Sequence, residues 1–375
     1  MALDHLQLQQ LWWIILSLVG ALFLFMTFVQ GGQTLLWTEA RNEAERSLIV
    51  NALGRKWELT FTLLVLFGGA FFAAFPRFYA VSFSGAYWVW MLILLTFVLQ
   101  AVSFEFRTKA GNLFGPRGYE GFLFVNGSLG IFAIGAAVGT LFTGGNFIID
   151  QSNLIRWSTP WHGLEALLSP FNLAMGLVTV FLARLLGALY LINSVEAPDL
   201  TERLRRAAWK NLLPLLVLIP FLLLSWYAMT GYGYGADGRI LAIHGKHWQN
   251  LFDLGFFGIG LFLIGTALTA GGAGVARFTS SRKGIWISGP GSILVGLALF
   301  LILGLNQTAF YPSLADPASS LTIRNASSSR YTLAAMTWVA LVVPVILVYV
   351  SYVWGLMNAS PLSLDDLKKD RHHSY

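Results

Sequence analysis

Runs of about 20 predominantly apolar residues, the length a helix needs to cross a hydrocarbon core about 30 Å thick, recur along this 375-residue chain from end to end. Nine can be marked, at about residues 11–36, 58–78, 83–104, 121–142, 170–192, 212–231, 254–276, 284–305 and 331–357. Their connections are short, so no stretch is left for a soluble catalytic domain. The expected fold is all-α, a polytopic membrane protein with about nine transmembrane helices forming one integral membrane domain over residues 1–375. Any chemistry must then lie within the bilayer or at its surfaces.

Composition supports this and removes other classes. Only 11% of residues are charged, against about 25% in a typical soluble domain, and mean hydropathy is +0.65. The net charge of +6 comes from scattered basic residues without the dense stripe that tracks phosphates, which argues against a nucleic-acid partner. The chain has no cysteine, so disulfides, iron–sulfur ligation and thiolate zinc sites are excluded. Lysine and arginine accumulate in cytoplasmic loops. With the N-terminus outside, the inner segments hold seventeen of the 24 basic residues, the outer segments six, and Arg184 lies within a span, which favours an N-out, C-in topology. Residues 1–5 carry no basic charge ahead of a long first span, so this span is expected to persist as a helix. Trp12, Trp13, Trp37, Trp88, Trp157, Trp161 and Trp354 suit interfacial belts. Gly135, Gly139 and the run Gly271-Gly272-Ala273-Gly274 suit close helix packing. The basic amphipathic stretch 196–211 is expected along the inner leaflet, and the loop 316–329 as an ordinary connection.

Haem ligation by this chain would need a histidine projecting into the bundle. All six histidines fall in termini or loops, and His244 with His247 reads as a solvated pair rather than a metal site. Ionisable residues in or at the edge of a span are functional candidates by default. Glu58 opens the second span and Glu105 closes the third, both near the cytoplasmic face. Two carboxylates at one depth on antiparallel neighbours can form the mouth of a proton path, since a partly desolvated carboxyl takes and gives a proton. The alternative is interfacial pairing with Lys56, Arg107 or Lys109. Arg184 should face protein, with Gln100, Asn126 or a partner subunit as candidate contacts, and serve a subunit interface or charge balance. Gln30 and Gln33, around Gly31-Gly32, read as hydrogen-bonding glue between helices. On these residues alone a secondary transporter and a purely structural membrane subunit stay open.

The chain resembles subunit II of cytochrome bd-type quinol oxidases. The likeness is carried by Gly68-Gly69-Ala70-Phe71-Phe72-Ala73-Ala74-Phe75-Pro76 with Phe83-Ser84-Gly85-Ala86-Tyr87, by Arg41-Asn42-Glu43-Ala44-Glu45-Arg46 with Trp57-Glu58, by Phe104-Glu105-Phe106-Arg107-Thr108-Lys109, and by Ser328-Ser329-Arg330-Tyr331 with Met336-Thr337-Trp338. The order of these pieces, the nine spans and the Ser374-Tyr375 end agree along nearly the whole length. The resemblance implies a partner, subunit I, that ligates two b-type haems and one d-type haem and oxidises quinol, in a complex that reduces dioxygen to water with cytoplasmic protons. It implies proton-path roles for Glu58 and Glu105, with Lys109 at the entrance; Trp57, Arg107, Arg184, Gln30 and Gln33 are expected at subunit contacts or in charge balance. Small single-span subunits, lipid and quinone are further implied partners, in a bacterial cytoplasmic (inner) membrane. Many members carry an Asp-Gly-Phe-Asp run where this chain has Gln30-Gly31-Gly32-Gln33, and an Arg-Pro pair where it has Gln100-Ala101, a lost charge that Arg184 is expected to replace.

Overall fold

A computed structural model describes residues 3–358 and 361–363. Lys368, Lys369, Arg371 and the Ser374-Tyr375 end lie outside the described residues. Among those described, nine helical stretches are long and apolar enough to span a membrane: His5–Thr38, Glu43–Ala74, Tyr87–Phe106, Gly115–Thr143, Pro170–Ser194, Pro198–Ala228, Gly255–Phe278, Ile285–Gly304 and Arg330–Leu356. All nine expected spans are present, several of them longer than the apolar run that announced them. The second begins with an amphipathic helix, Glu43–Gly54, that turns at Arg55 and Lys56 before the apolar run. The fourth contains a π-helical turn at Asn126–Gly130, one of two among the described residues.

The basic stretch 196–211 does not form a separate surface helix. It is the first half of a continuous helix, Pro198–Ala228, with Leu200, Leu204, Ala207 and Ala208 buried against the bundle. The physical reason is its own apolar stripe at helical spacing, which finds protein before it finds lipid. Its arginines cap neighbours. Arg203 Nε donates to the Glu39 carbonyl ending the first span (2.8 Å), and Arg205 to the carbonyls of Ala276, Thr279 and Ser280 ending the seventh. Arg282 likewise donates to Ile192 and Val195 at the end of the fifth. The first, fifth and seventh spans therefore all end at one basic end of the bundle, where guanidinium groups satisfy orphan carbonyls and the negative pole of each helix.

Helices approach most closely at glycine. A Cβ on Gly31 would stand 1.9 Å from the Ala183 carbonyl oxygen, and one on Gly187 would stand 2.3 Å from the Gly32 nitrogen, so the first and fifth spans touch backbone to backbone. Gly135 and Gly139 do the same against Met175 and Asn172, whereas Gly271 and Gly274 face open space. Gly31→Ala is therefore expected to cost about 1–3 kcal/mol or more by forcing two backbones apart. Gly271→Ala should be close to neutral. Thermal melting of the purified complex checks both, and equal melting of the two variants would refute the crossing as a tight contact.

At the opposite end, which carries the N-terminus, three two-stranded hairpins and the segment 306–329 form a cap. The segment 316–329 is more than a connection. Ser319, Ser320, Thr322, Ile323 and Ala326 are buried, and Ser328 bonds to the carbonyls of residues that close the second span. His247 is not solvated. It lies fully buried on the short helix Lys246–Asp253, with its ring against Phe142 (5.1 Å between centroids). Burial, and then the charge of Lys246 beside it, push its pKa down to about 4. Since the folded value lies below the unfolded one, its contribution to stability is full above about pH 6.5 and is lost as pH falls toward 4. Acidification from about pH 7 to about pH 5 should then cost wild type on the order of 2 kcal/mol more than His247→Phe. Parallel melting curves for the two across that range would exclude a buried neutral imidazole.

Candidate functional site

The second and third spans run side by side at the basic end, where Trp57 stacks on Phe104 with ring centroids 5.7 Å apart and planes 12° from parallel. Each ring is followed directly by a glutamate, so Glu58 and Glu105 emerge at the same level on adjacent helices. Both are exposed on the isolated chain, as is Lys109 in the turn beyond. Neither glutamate joins an ion pair among the described residues.

The expected competitors for those carboxylates are engaged elsewhere. The Lys56 ammonium sits 4.4 Å from the Trp354 ring centroid, holding the last span to the turn between residues 54 and 57. Arg107, almost fully buried, pairs with Glu43 and with Glu120, whose Oε1 it meets at 2.9 Å. Glu120 is completely buried, and its Oε2 accepts from Arg46 at 2.9 Å, with Arg117 3.5 Å away. Arg46 also reaches the Leu36 carbonyl, and Trp37 donates to the Glu120 backbone carbonyl, so the network around Glu120 ties the first four spans together. This centre is not apparent in sequence. Glu120 precedes the fourth apolar run by a single residue, and its only local signal is Arg117 one turn earlier.

Arg184 faces protein as expected, but neither Gln100 nor Asn126 is its partner. Its Nε donates to Asn211 (3.0 Å) and its other nitrogens to Thr34 and Thr38, close to Glu39. Burial outweighs the neighbouring Arg184, Lys210 and Arg203 and raises the Glu39 pKa. Gln100 instead accepts from Gln30 at 3.4 Å, and both are fully buried with Gln33 and Asn126. Arg184 thus bonds on the first span to Thr34 and Thr38, toward the basic end from Gln30 and Gln33.

Two cavities lie apart from the glutamates. One of about 150 Å³ is walled largely by apolar side chains including Phe67, Phe71, Trp90 and Trp226. Another of about 330 Å³ lies under the cap beside Thr143, Glu165 and Asn172.

A family model described as cytochrome bd terminal oxidase subunit II matches residues 8–357. The chain belongs to that family. It is 28% identical, over 394 aligned positions covering 100% of both chains, to cytochrome bd-I ubiquinol oxidase subunit 2 of Escherichia coli K12. It is 27% identical to cytochrome bd ubiquinol oxidase subunit 2 of Bacillus subtilis 168, covering 89% of this chain and 90% of the other. Among solved structures it shares its fold with a chain of the bd oxidase from Geobacillus thermodenitrificans, at a TM-score of 0.60 and 11% identity over 93% of this chain and 98% of that one. Subunit II is part of an oxidoreductase complex in a respiratory membrane, and it implies a subunit I as partner. No group of three or more His, Asp or Glu side chains able to hold a metal forms among the described residues of subunit II. The buried His247 lies on the short helix Lys246–Asp253, outside the nine spans.

Proposed function

We propose that subunit II scaffolds a haem-bearing subunit I and supplies it with protons from the cytoplasm, within a bacterial inner-membrane oxidase that oxidises quinol and reduces dioxygen to water. The supporting observation is the pair Glu58 and Glu105, level on neighbouring spans and exposed on an otherwise apolar face. A carboxylate facing lipid is costly. The face that carries these two, rich in Val65, Leu66, Leu94, Leu95 and Val98, is where a partner subunit would cover them. Covered by that partner, the two carboxyls can accept a proton from the cytoplasmic side and pass it on. Lys109 stands at the cytoplasmic mouth, and Trp57 on Phe104 sets the spacing. The basic end faces the cytoplasm in this reading, which places the N-terminus outside and the C-terminus inside. The b-type and d-type haems belong to subunit I, and lipid, quinone and small single-span subunits complete the assembly. The test is the double variant Glu58→Gln/Glu105→Gln in the purified complex, read as oxygen consumption per haem.

A further inference from the structure

We propose that subunit II holds a buried water site, built from amide side chains, in the half of the bundle next to its basic end. Gln30, Gln33, Gln100 and Asn126 are each fully buried, on the first, third and fourth spans. They make one bond among themselves, Gln30 to Gln100. Gln30 Oε1, Gln100 Nε2, both polar atoms of Gln33 and both of Asn126 have no partner among the described residues. A helix in lipid has no bulk water to satisfy such groups, and buried polar atoms are almost always hydrogen-bonded to protein or to ordered water.

Local structure agrees. Asn126 opens the π-helical turn Asn126–Gly130, a distortion that re-aims side chains within a helix and recurs at functional sites. The small residues of that turn bring the other helices close. A Cβ on Gly127 would meet the Gln30 carbonyl oxygen at 2.2 Å, and one on Gly130 would lie 2.4 Å from Thr96 Oγ1 and 3.2 Å from Asn126 Nδ2. The first, third and fourth spans thus approach closely around this turn, and the unpartnered amide atoms are three donors and three acceptors, the balance a small water cluster requires. The polar track leading to it from the basic end is Thr34, one residue past Gln33, whose hydroxyl bonds Arg184. A guanidinium at that neck repels cations, so neutral water rather than a metal ion is the ligand.

The site does not depend on Glu58 or Glu105, and its failure would leave the proton-delivery reading intact. The test places a carboxyl reporter in the cluster of the complete complex, as Gln33→Glu and separately as Asn126→Asp. Infrared spectra should show the reporter C=O band shifting within about a minute of transfer to deuterium oxide, far ahead of the minutes to hours required by protein opening. A reporter band that exchanges only on the opening timescale in either variant that assembles overturns the proposal. Should neither assemble, a high-resolution density map of the wild-type complex decides. Ordered solvent peaks bridging Gln100 and Asn126 support the site, and amides packed together without them overturn it.

Discussion

Subunit II carrying Glu120→Ala is expected to fail to accumulate as a folded partner in the oxidase complex. Glu120 is the shared counter-charge of Arg46 and Arg107, which are themselves buried. Removing one member of a buried ionic group strands the others without solvent, at about 3–5 kcal/mol, a large share of the roughly 5–15 kcal/mol that holds a typical fold. Glu43, mostly exposed, offers Arg107 partial relief but is not paired with Arg46. Replacing all three buried members together with methionine should recover most of the loss, because apolar side chains of similar volume often match a buried ion pair in stability. Chain abundance in the membrane and melting of the purified complex measure both. Normal abundance and melting of Glu120→Ala would show that the network does not hold the first four spans.

For Glu58→Gln/Glu105→Gln the expected result is the reverse: an assembled complex with normal haem content whose oxygen consumption falls by on the order of 10²-fold, the scale at which a lost proton donor and acceptor slows a reaction. Glutamine keeps the shape and hydrogen-bonding capacity of the side chain but carries no exchangeable acid proton. Neither glutamate supports a buried charge, so the stability change should stay within about 0.5 kcal/mol. Where the two act in one path, the double variant should be little slower than the more impaired single variant. Wild-type turnover in the double variant would end the proposal for proton delivery, and loss of haem with turnover would recast the pair as assembly contacts.

The two variants separate what the sequence suggested from what it concealed. Glu58 and Glu105 were legible because each is an acid at the border of an apolar run, and the neighbouring aromatic residues that align them are adjacent in the chain. Glu120 occupies a similar border, yet it has a different environment, since Arg46 lies 74 residues away in sequence. Arg184 stood out as a charge within a span, but its hydroxyl partner on the first span lies 150 residues earlier. The arginines that counted as topology signals are individually spent on carbonyls of particular helix ends, which a tally of loop charge does not reveal. His247 looked like a loop residue because nothing local announces that Phe142 closes over it.

The sequence alone determined the nine spans, their basic end, the want of cysteine, and the family through short motifs in a constant order. Each of these depends on composition within a window or on residues close together in the chain, and the bilayer converts such windows directly into helices because no other backbone state satisfies its hydrogen bonds there. Tertiary structure alone decided which charges are buried together, which glycines bring backbones into contact and which buried amide atoms are left without a partner among the described residues. Those facts belong to pairs of side chains on different helices, and only the packing of one helix against another brings them within reach.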